Sequence, residues 1–277
     1  MKLGFLLQTG ALLLGACGEE EFMIEVDFSA RVDGIEVECG GSYDVGTGPD
    51  LAQLADARIF VSEIETLDQS GDWVAVELES SPWQSDGVVL LDFEDGRASC
   101  SDSGTSETNR TLRGTVGIDE PQGLRFGLGV PFDQNHNDSA MAGAPFNVPG
   151  MFWNWRGGYK FLRVDWVAGT ARWNIHLGST ACDASSPTEA PASCARSNRS
   201  RYSNPDFEFE SDRVELDLEA LTASANLSVN TPESPPGCMS SPVEPDDCTP
   251  IFDALGMDFV SGDCAGSCEA QRLFLTP

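Results

Sequence analysis

The sequence predicts a mainly β protein, an antiparallel β-sandwich with long disulfide-pinned loops and one or two short helices. Three observations carry that prediction. Short segments of alternating apolar and polar residues recur along most of the chain, broken by Gly, Pro, Asn and Asp. The first of them closes on a two-residue Asp-Gly turn. Beyond the N-terminal segment the cysteines are even in number, which in an oxidising compartment means a disulfide framework.

In chain order, residues 22–39 (FMIEVDFSARVDGIEVEC) place Ile24, Val26 and Phe28 on one side and Glu25 and Asp27 on the other. Asp33-Gly34 lies between Val32 and Ile35 as the turn of a hairpin. Residues 57–64 and 73–78 form a second candidate pair around Gln69-Ser70-Gly71-Asp72. GVVLLDF at 87–93 has the composition of a buried strand. In 124–130, Leu124, Phe126, Leu128 and Val130 share a face. Segments 151–155, 159–166 and 171–178 continue the series. Residues 214–229 suit a short helix. The stretch 231–250, with its prolines, Cys238 and Cys248, reads as a pinned loop, and 251–257 as one helical turn stopped by Gly256. No internal repeat or domain boundary is visible, so residues 22–277 are expected to form a single domain.

The N-terminus has a basic Lys2, an apolar stretch interrupted by Gln8, Thr9 and Gly10, and then Leu14-Gly15-Ala16-Cys17. This matches a lipobox. Residues 1–16 are expected to be a lipoprotein signal peptide, Cys17 the lipidated residue and 17–21 a short tether. No Asp follows Cys17, so the outer membrane is the expected anchor, on its periplasmic side or at the cell surface. The anchor is the only expected contact with membrane. With 45 acidic and 16 basic residues, the net charge of −29 excludes nucleic acid as a partner.

The eight remaining cysteines are Cys39, Cys100, Cys182, Cys194, Cys238, Cys248, Cys264 and Cys268. Spacing suggests the local pairs Cys182–Cys194, Cys238–Cys248 and Cys264–Cys268, leaving Cys39–Cys100, although sequence alone permits about 105 connectivities. A thiolate metal site is the competing reading. Against it stand the lack of paired CxxC spacing and an oxidising location.

Two histidines exist, His136 and His176. His136 lies in a polar loop, residues 130–138. His176 lies in a strand on the side opposite Trp173, Ile175 and Leu177, facing away from the apolar side or into a second pocket. Two neutral imidazoles make a partial shell for copper or zinc. Between them, Met151, Trp153 and Trp155 share a side if the segment is extended; clustered indoles suit a core or a sugar platform. The loop Asp133–Asp138 offers alternate oxygen ligands for Ca²⁺ but lacks the Gly and closing Glu of an EF-hand. HExxH, GxSxG and P-loop motifs are absent, and no carboxylate pair stands out as an acid/base couple.

The segments DARIFVSEI (56–64), VVLLDFEDGRASC (88–100), LRFGLGVPFDQNHND (124–138), APFNVPGMFWNWRGGYKFLRVD (144–165), IHLGSTAC (175–182) and PGCMSSPVEPDDC (236–248) resemble, in order, the MbnP family of periplasmic copper proteins. The resemblance implies a β-rich, extracytoplasmic, non-enzymatic protein that binds copper. It also implies a partner, a di-haem enzyme of the cytochrome c peroxidase and MauG type, which oxidises a tryptophan of the copper protein to kynurenine. The family's histidines fall on His136 and His176, and its tryptophan pair on Trp153 and Trp155. Its four-cysteine motif falls on Cys39, Cys100, Cys182 and Cys194; Cys264 and Cys268 lie outside it. Met151, Asp138, water or kynurenine would complete the copper shell. Asp133, Asp138, Asn135 and Asn174 are candidates to hold the second ring nitrogens. A Ca²⁺-dependent or carbohydrate-binding surface module is the alternative, and a structural lipoprotein a further one.

Overall fold

A computed structural model describes residues 21–102, 104–264 and 268–277. The expected signal peptide and lipidated Cys17 lie outside the described residues. The main strands are β1 (Phe22–Val32), β2 (Ala52–Leu67), β3 (Val88–Asp92), β4 (Thr111–Val116), β5 (Gln122–Leu128), β6 (Leu162–Ala168), β7 (Ala171–Leu177), β8 (Thr180–Cys182), β9 (Cys194–Arg196), β10 (Arg201–Asn204) and β11 (Val214–Asp217). Two helices follow, α1 (Leu218–Thr222) and α2 (Pro245–Ala254).

The strands form two principal sheets. In the smaller, β1 lies between β4 and β11. In the larger, the order is β10-β5-β2-β6-β7, with β3 also paired to β2. Apolar side chains of the two sheets meet between them: Phe28 of β1 stands 5.8 Å from Phe126 of β5, and Phe126 lies 5.0 Å from Phe274 beside β11. Each fully buried Phe contributes roughly 2 kcal/mol of transfer free energy, so this shared layer joins the sheets. The mainly β, sandwich-like expectation therefore holds. Two pairings are parallel, β1 with β11 and β7 with Gly237–Cys238, where a wholly antiparallel fold was expected. Both join segments far apart in sequence, so no hairpin signal announces them.

The Asp33-Gly34 turn is present, with both residues at positive φ (49° and 69°), as a type I′ hairpin requires. The four disulfides are those that spacing suggests: Cys39–Cys100, Cys182–Cys194, Cys238–Cys248 and Cys264–Cys268. Residues 214–229 divide into β11 and α1, with Asp217 capping the helix by accepting from the Ala220 amide at 2.8 Å. Helix α2 starts six residues before the expected turn at 251. Pro245 in its first turn needs no amide partner, and Asp246 and Asp247 there favour the helix N-terminus. The 151–155 segment is not extended throughout. Residues 149–151 form a 3₁₀ turn, which buries Met151 in the core while Trp155 remains 38 % exposed, so the three side chains do not share a side.

Candidate metal centre

The central sheet has two buried faces, and only one is apolar. On β2, β6 and β7 the apolar face carries Ile59, Leu162, Val164, Ile175 and Leu177. The other face carries ions. Register places Asp92, Arg58, Arg163 and His176 side by side across β3, β2, β6 and β7. The next row holds Asp56, Asp165 and Asn174. His176 thus points away from the apolar side, as expected, but into a buried ionic layer rather than solvent.

Within that layer Arg58 grips Asp56 through two guanidinium nitrogens and lies 3.9 Å from Glu94. Arg163 donates to Asp165 at 2.7 and 2.9 Å and reaches Asp56 at 3.1 Å. Lys160 donates to the Gly150 carbonyl at 2.7 Å, and Arg163 reaches the same oxygen at 3.3 Å, which ties the 144–151 loop over the charges. Burial pushes Lys160 down to about 8. Burial and the crowd of carboxylates push Asp92 up to about 8, against the pull of Arg58. Three basic side chains (Arg58, Arg163, Lys160) thus share the layer with four acidic ones (Asp56, Asp92, Glu94, Asp165).

His176 Nε2 lies 2.8 Å from Asp165 Oδ1. Burial holds His176 below the ordinary histidine value, against the pull of Asp165, so the ring is neutral at pH 7 and Nε2–H donates to the carboxylate. Burial opposes the Asp165 charge, but the hydrogen bonds from His176 and Arg163 and the charge of Arg163 outweigh it and hold the carboxyl below its usual range. Nδ1 of His176 then carries the lone pair. A carboxylate that fixes the tautomer of an imidazole in this way is the common support of a metal-ligating histidine.

His136 follows a single helical turn, Phe132–Asn135, at the exit of β5. Its Nδ1 lies 2.9 Å from the Trp155 carbonyl. A carbonyl only accepts, so Nδ1 bears the proton and Nε2 the lone pair. Burial keeps this ring neutral too, against the opposing effect of that carbonyl. Around Nε2 stand Asn135 Nδ2 at 3.2 Å and Cys194 Sγ at 3.5 Å. Asn135 also accepts from the Tyr159 amide and donates to Ser179, three residues beyond His176. Both histidines therefore stand near the 152–159 hairpin and the end of β7.

Trp153 and Trp155 play different parts in that hairpin. The Trp153 ring packs over Gly178, where a Cβ would stand 2.5 Å from the indole. It lines a cavity of about 390 Å³ with Ser179, Cys182 and Met239. Trp155 supplies its carbonyl to His136 and leaves its side chain partly exposed.

Of the other expected ligands, Met151 is wholly buried in the apolar core. Asp138 caps the Ala140 amide and lines a separate cavity with Asp86, Asn137 and Tyr159. Among the described residues, the clusters of three or more His, Cys, Asp or Glu donors are His136 with Cys182 and Cys194, and Cys39 with Glu94 and Cys100. Neither contains both histidines, and the cysteines of both are disulfide-bonded. The donor chemistry fits copper, with one neutral and anchored imidazole at each position.

The residue that orients His176 is Asp165, outside the expected set. Asn174 shares its face, but Asn174 Oδ1 is buried without a hydrogen bond; Asn135 stands on the lone-pair side of His136, not its N–H side. The β6–β7 hairpin held the signal. Its Ala168–Ala171 closure sets Asp165 opposite Asn174, diagonal to His176.

The MbnP family profile matches residues 21–240. The solved structure of MbnP from Methylosinus trichosporium is similar, with 29 % sequence identity and a TM-score of 0.80, covering 93 % of this chain and 98 % of that one. No curated protein matches the chain.

Proposed function

The chain belongs to the MbnP family, and from that premise we propose that it is an extracytoplasmic, lipid-anchored copper-binding protein, itself not a catalyst, that serves as substrate for a di-haem cytochrome c peroxidase/MauG-like enzyme. The observation that carries the reading is the pair of imidazoles. Each is neutral, each has one N–H tied to an acceptor, and each keeps one lone pair: His136 on Nε2 and His176 on Nδ1. These two residues would hold the metal. Bound copper would supply a redox-active ion coordinated by nitrogen.

The chain's own residues do the positioning. Asp165 fixes the His176 tautomer, Arg163 holds Asp165, and the Trp155 carbonyl fixes His136. Among the described residues every cysteine is held in a disulfide, so the strong blue colour of a His₂Cys site is not expected. Trp153 is favoured over Trp155 as the oxidised residue, because its ring lines the cavity beside Ser179 and packs over Gly178, just past the end of β7. Conversion to kynurenine exchanges one ring carbon for one oxygen, a change that intact mass reads directly.

Copper titration of the oxidised chain, made with and without the haem partner, tests the reading. One copper per chain is expected, with His136→Ala and His176→Ala each weakening binding by about tenfold or more. Unchanged affinity in both variants would overturn the site. Preference for Ca²⁺ in a parallel titration would favour the surface-module reading instead.

A further inference from the structure

We propose a second metal site, latent in the oxidised chain: His136 with Cys182 and Cys194, which on reduction of their disulfide takes one thiophilic cation of the Zn²⁺ class. The donor atoms of these three residues already lie within 4.8 Å of one another. His136 Nε2 stands 3.5 Å from Cys194 Sγ. Two ligands of one tetrahedral zinc, a thiolate and an imidazole, lie about 3.5 Å apart, given Zn–S near 2.3 Å and Zn–N near 2.0 Å. The imidazole is therefore at ligand distance before any metal arrives. It also presents the correct atom, since the Trp155 carbonyl holds the proton on Nδ1 and leaves the lone pair on the sulfur side.

The disulfide is open to reduction. Cys182 and Cys194 are both half-buried, whereas each of the other three disulfides includes at least one fully buried cysteine. Cavities of about 390 Å³ and 340 Å³ flank the bond, one lined by Cys182 and the other by Cys194. The two sulfurs stay opposed once the bond is gone. Thr180 pairs with Arg196 and Cys182 with Cys194 in the β8–β9 ladder, and the Asp183 amide donates to Ser193 O at 2.8 Å. Arg196 donates to Thr180 Oγ1 across the hairpin and pins the hairpin to the body through the Ser240 carbonyl. A small rotation of both side chains separates the sulfurs to the roughly 3.8 Å of two zinc ligands.

The step balances with a dithiol as reductant. It delivers two electrons and two protons, the Cys182–Cys194 bond breaks to two thiols, and the dithiol closes to its own disulfide. Cation binding then releases the two thiol protons to solvent, while His136 gives its lone pair without losing a proton. Water takes the fourth position. The proposal shares His136 with the copper reading and is independent of His176.

The test uses the full chain reduced with dithiothreitol, desalted without oxygen and titrated with Co²⁺ as the spectroscopic stand-in for Zn²⁺. Alkylation and peptide mapping identify the sample in which Cys182 and Cys194 are free. One Co²⁺ per chain with thiolate-to-cobalt charge-transfer absorption is expected there, and none in the oxidised chain. The signal should vanish in the Cys182→Ser/Cys194→Ser double variant reduced in parallel, weaken by about tenfold or more in His136→Ala, persist in His176→Ala, and be displaced by Zn²⁺. Absence of the band in a mapped, reduced wild-type sample would overturn the proposal. So would an equal band in the double variant. Copper titration of the oxidised chain reports separately on the His136–His176 reading, so the two fail independently.

Discussion

Asp165 and Asp92 lie in the same buried layer and answer to different physics. Asp165 has two hydrogen-bonded partners and stays charged; Asp92 faces a guanidinium already engaged by Asp56 and is pushed up to about 8. Asp165→Asn keeps the shape but removes the charge that orients His176. Copper affinity should fall about ten- to a hundredfold, by the size usual for such supporting carboxylates, as a competition titration would read. Asp92 predicts a pH dependence of stability. Its folded pKa lies above the ordinary aspartate value of 3.8, so between 3.8 and about 8 the folded chain holds a proton that the unfolded chain lacks. Its contribution is fully present below 3.8 and is lost as pH rises through about 8. Urea unfolding across this range should show a declining component from Asp92 that disappears in Asp92→Asn. An unchanged slope in that variant would refute the assignment.

At the scale of elements, the 152–159 hairpin fits only because Gly178 ends β7 without a side chain. A Cβ there would meet the Trp153 ring at 2.5 Å and the Tyr159 carbonyl at 2.8 Å. Gly178→Ala should destabilise by about 1–3 kcal/mol, the usual cost of overpacking. It should also alter the emission of Trp153, which Trp153→Phe in the same background identifies. A variant with wild-type melting and emission would show that the hairpin does not rest on this contact. The elements also show why some boundaries were hidden. Strand β2 runs from Ala52 to Leu67, longer than the 57–64 read from its pattern; at its N-terminal side the buried Asp56 imitates a solvent-facing residue. Helix α2 was masked by Pro245, Pro250 and Cys248, residues that also suit a loop.

Across the whole molecule, the Cys39–Cys100 disulfide spans 61 residues and joins the segment after β1 to the segment after β3. In the chain-entropy account, constraining so long a loop destabilises the unfolded ensemble, and removing a native disulfide costs about 2–5 kcal/mol. The Cys39→Ala/Cys100→Ala variant should lose that much in denaturant unfolding, a larger loss than deleting the five-residue Cys264–Cys268 closure. Equal losses would argue that local packing outweighs loop closure here. The two sheets close over one apolar core built from β1, β2, β5, β6 and β7, and the ionic layer lies on the far side of the central sheet.

Local chemistry was enough to mark the alternating strands, the Asp33-Gly34 turn, the disulfide partners and the two histidines, because each depends on residues near one another in sequence or on scarce residue types. The motifs around His136, Trp153 and His176 carried the family resemblance as well. Tertiary structure decided what those residues touch. The parallel pairings of β1 with β11 and of β7 with Gly237–Cys238, the second buried face that turns Asp165 toward His176, and the approach of His136 to Cys194 all join distant segments. Such contacts leave no periodic trace in a single sequence. They arise because the smaller sheet covers one face of the central sheet and the 144–151 loop lies over charges of the other, and a buried charge must find its partner wherever the fold brings it.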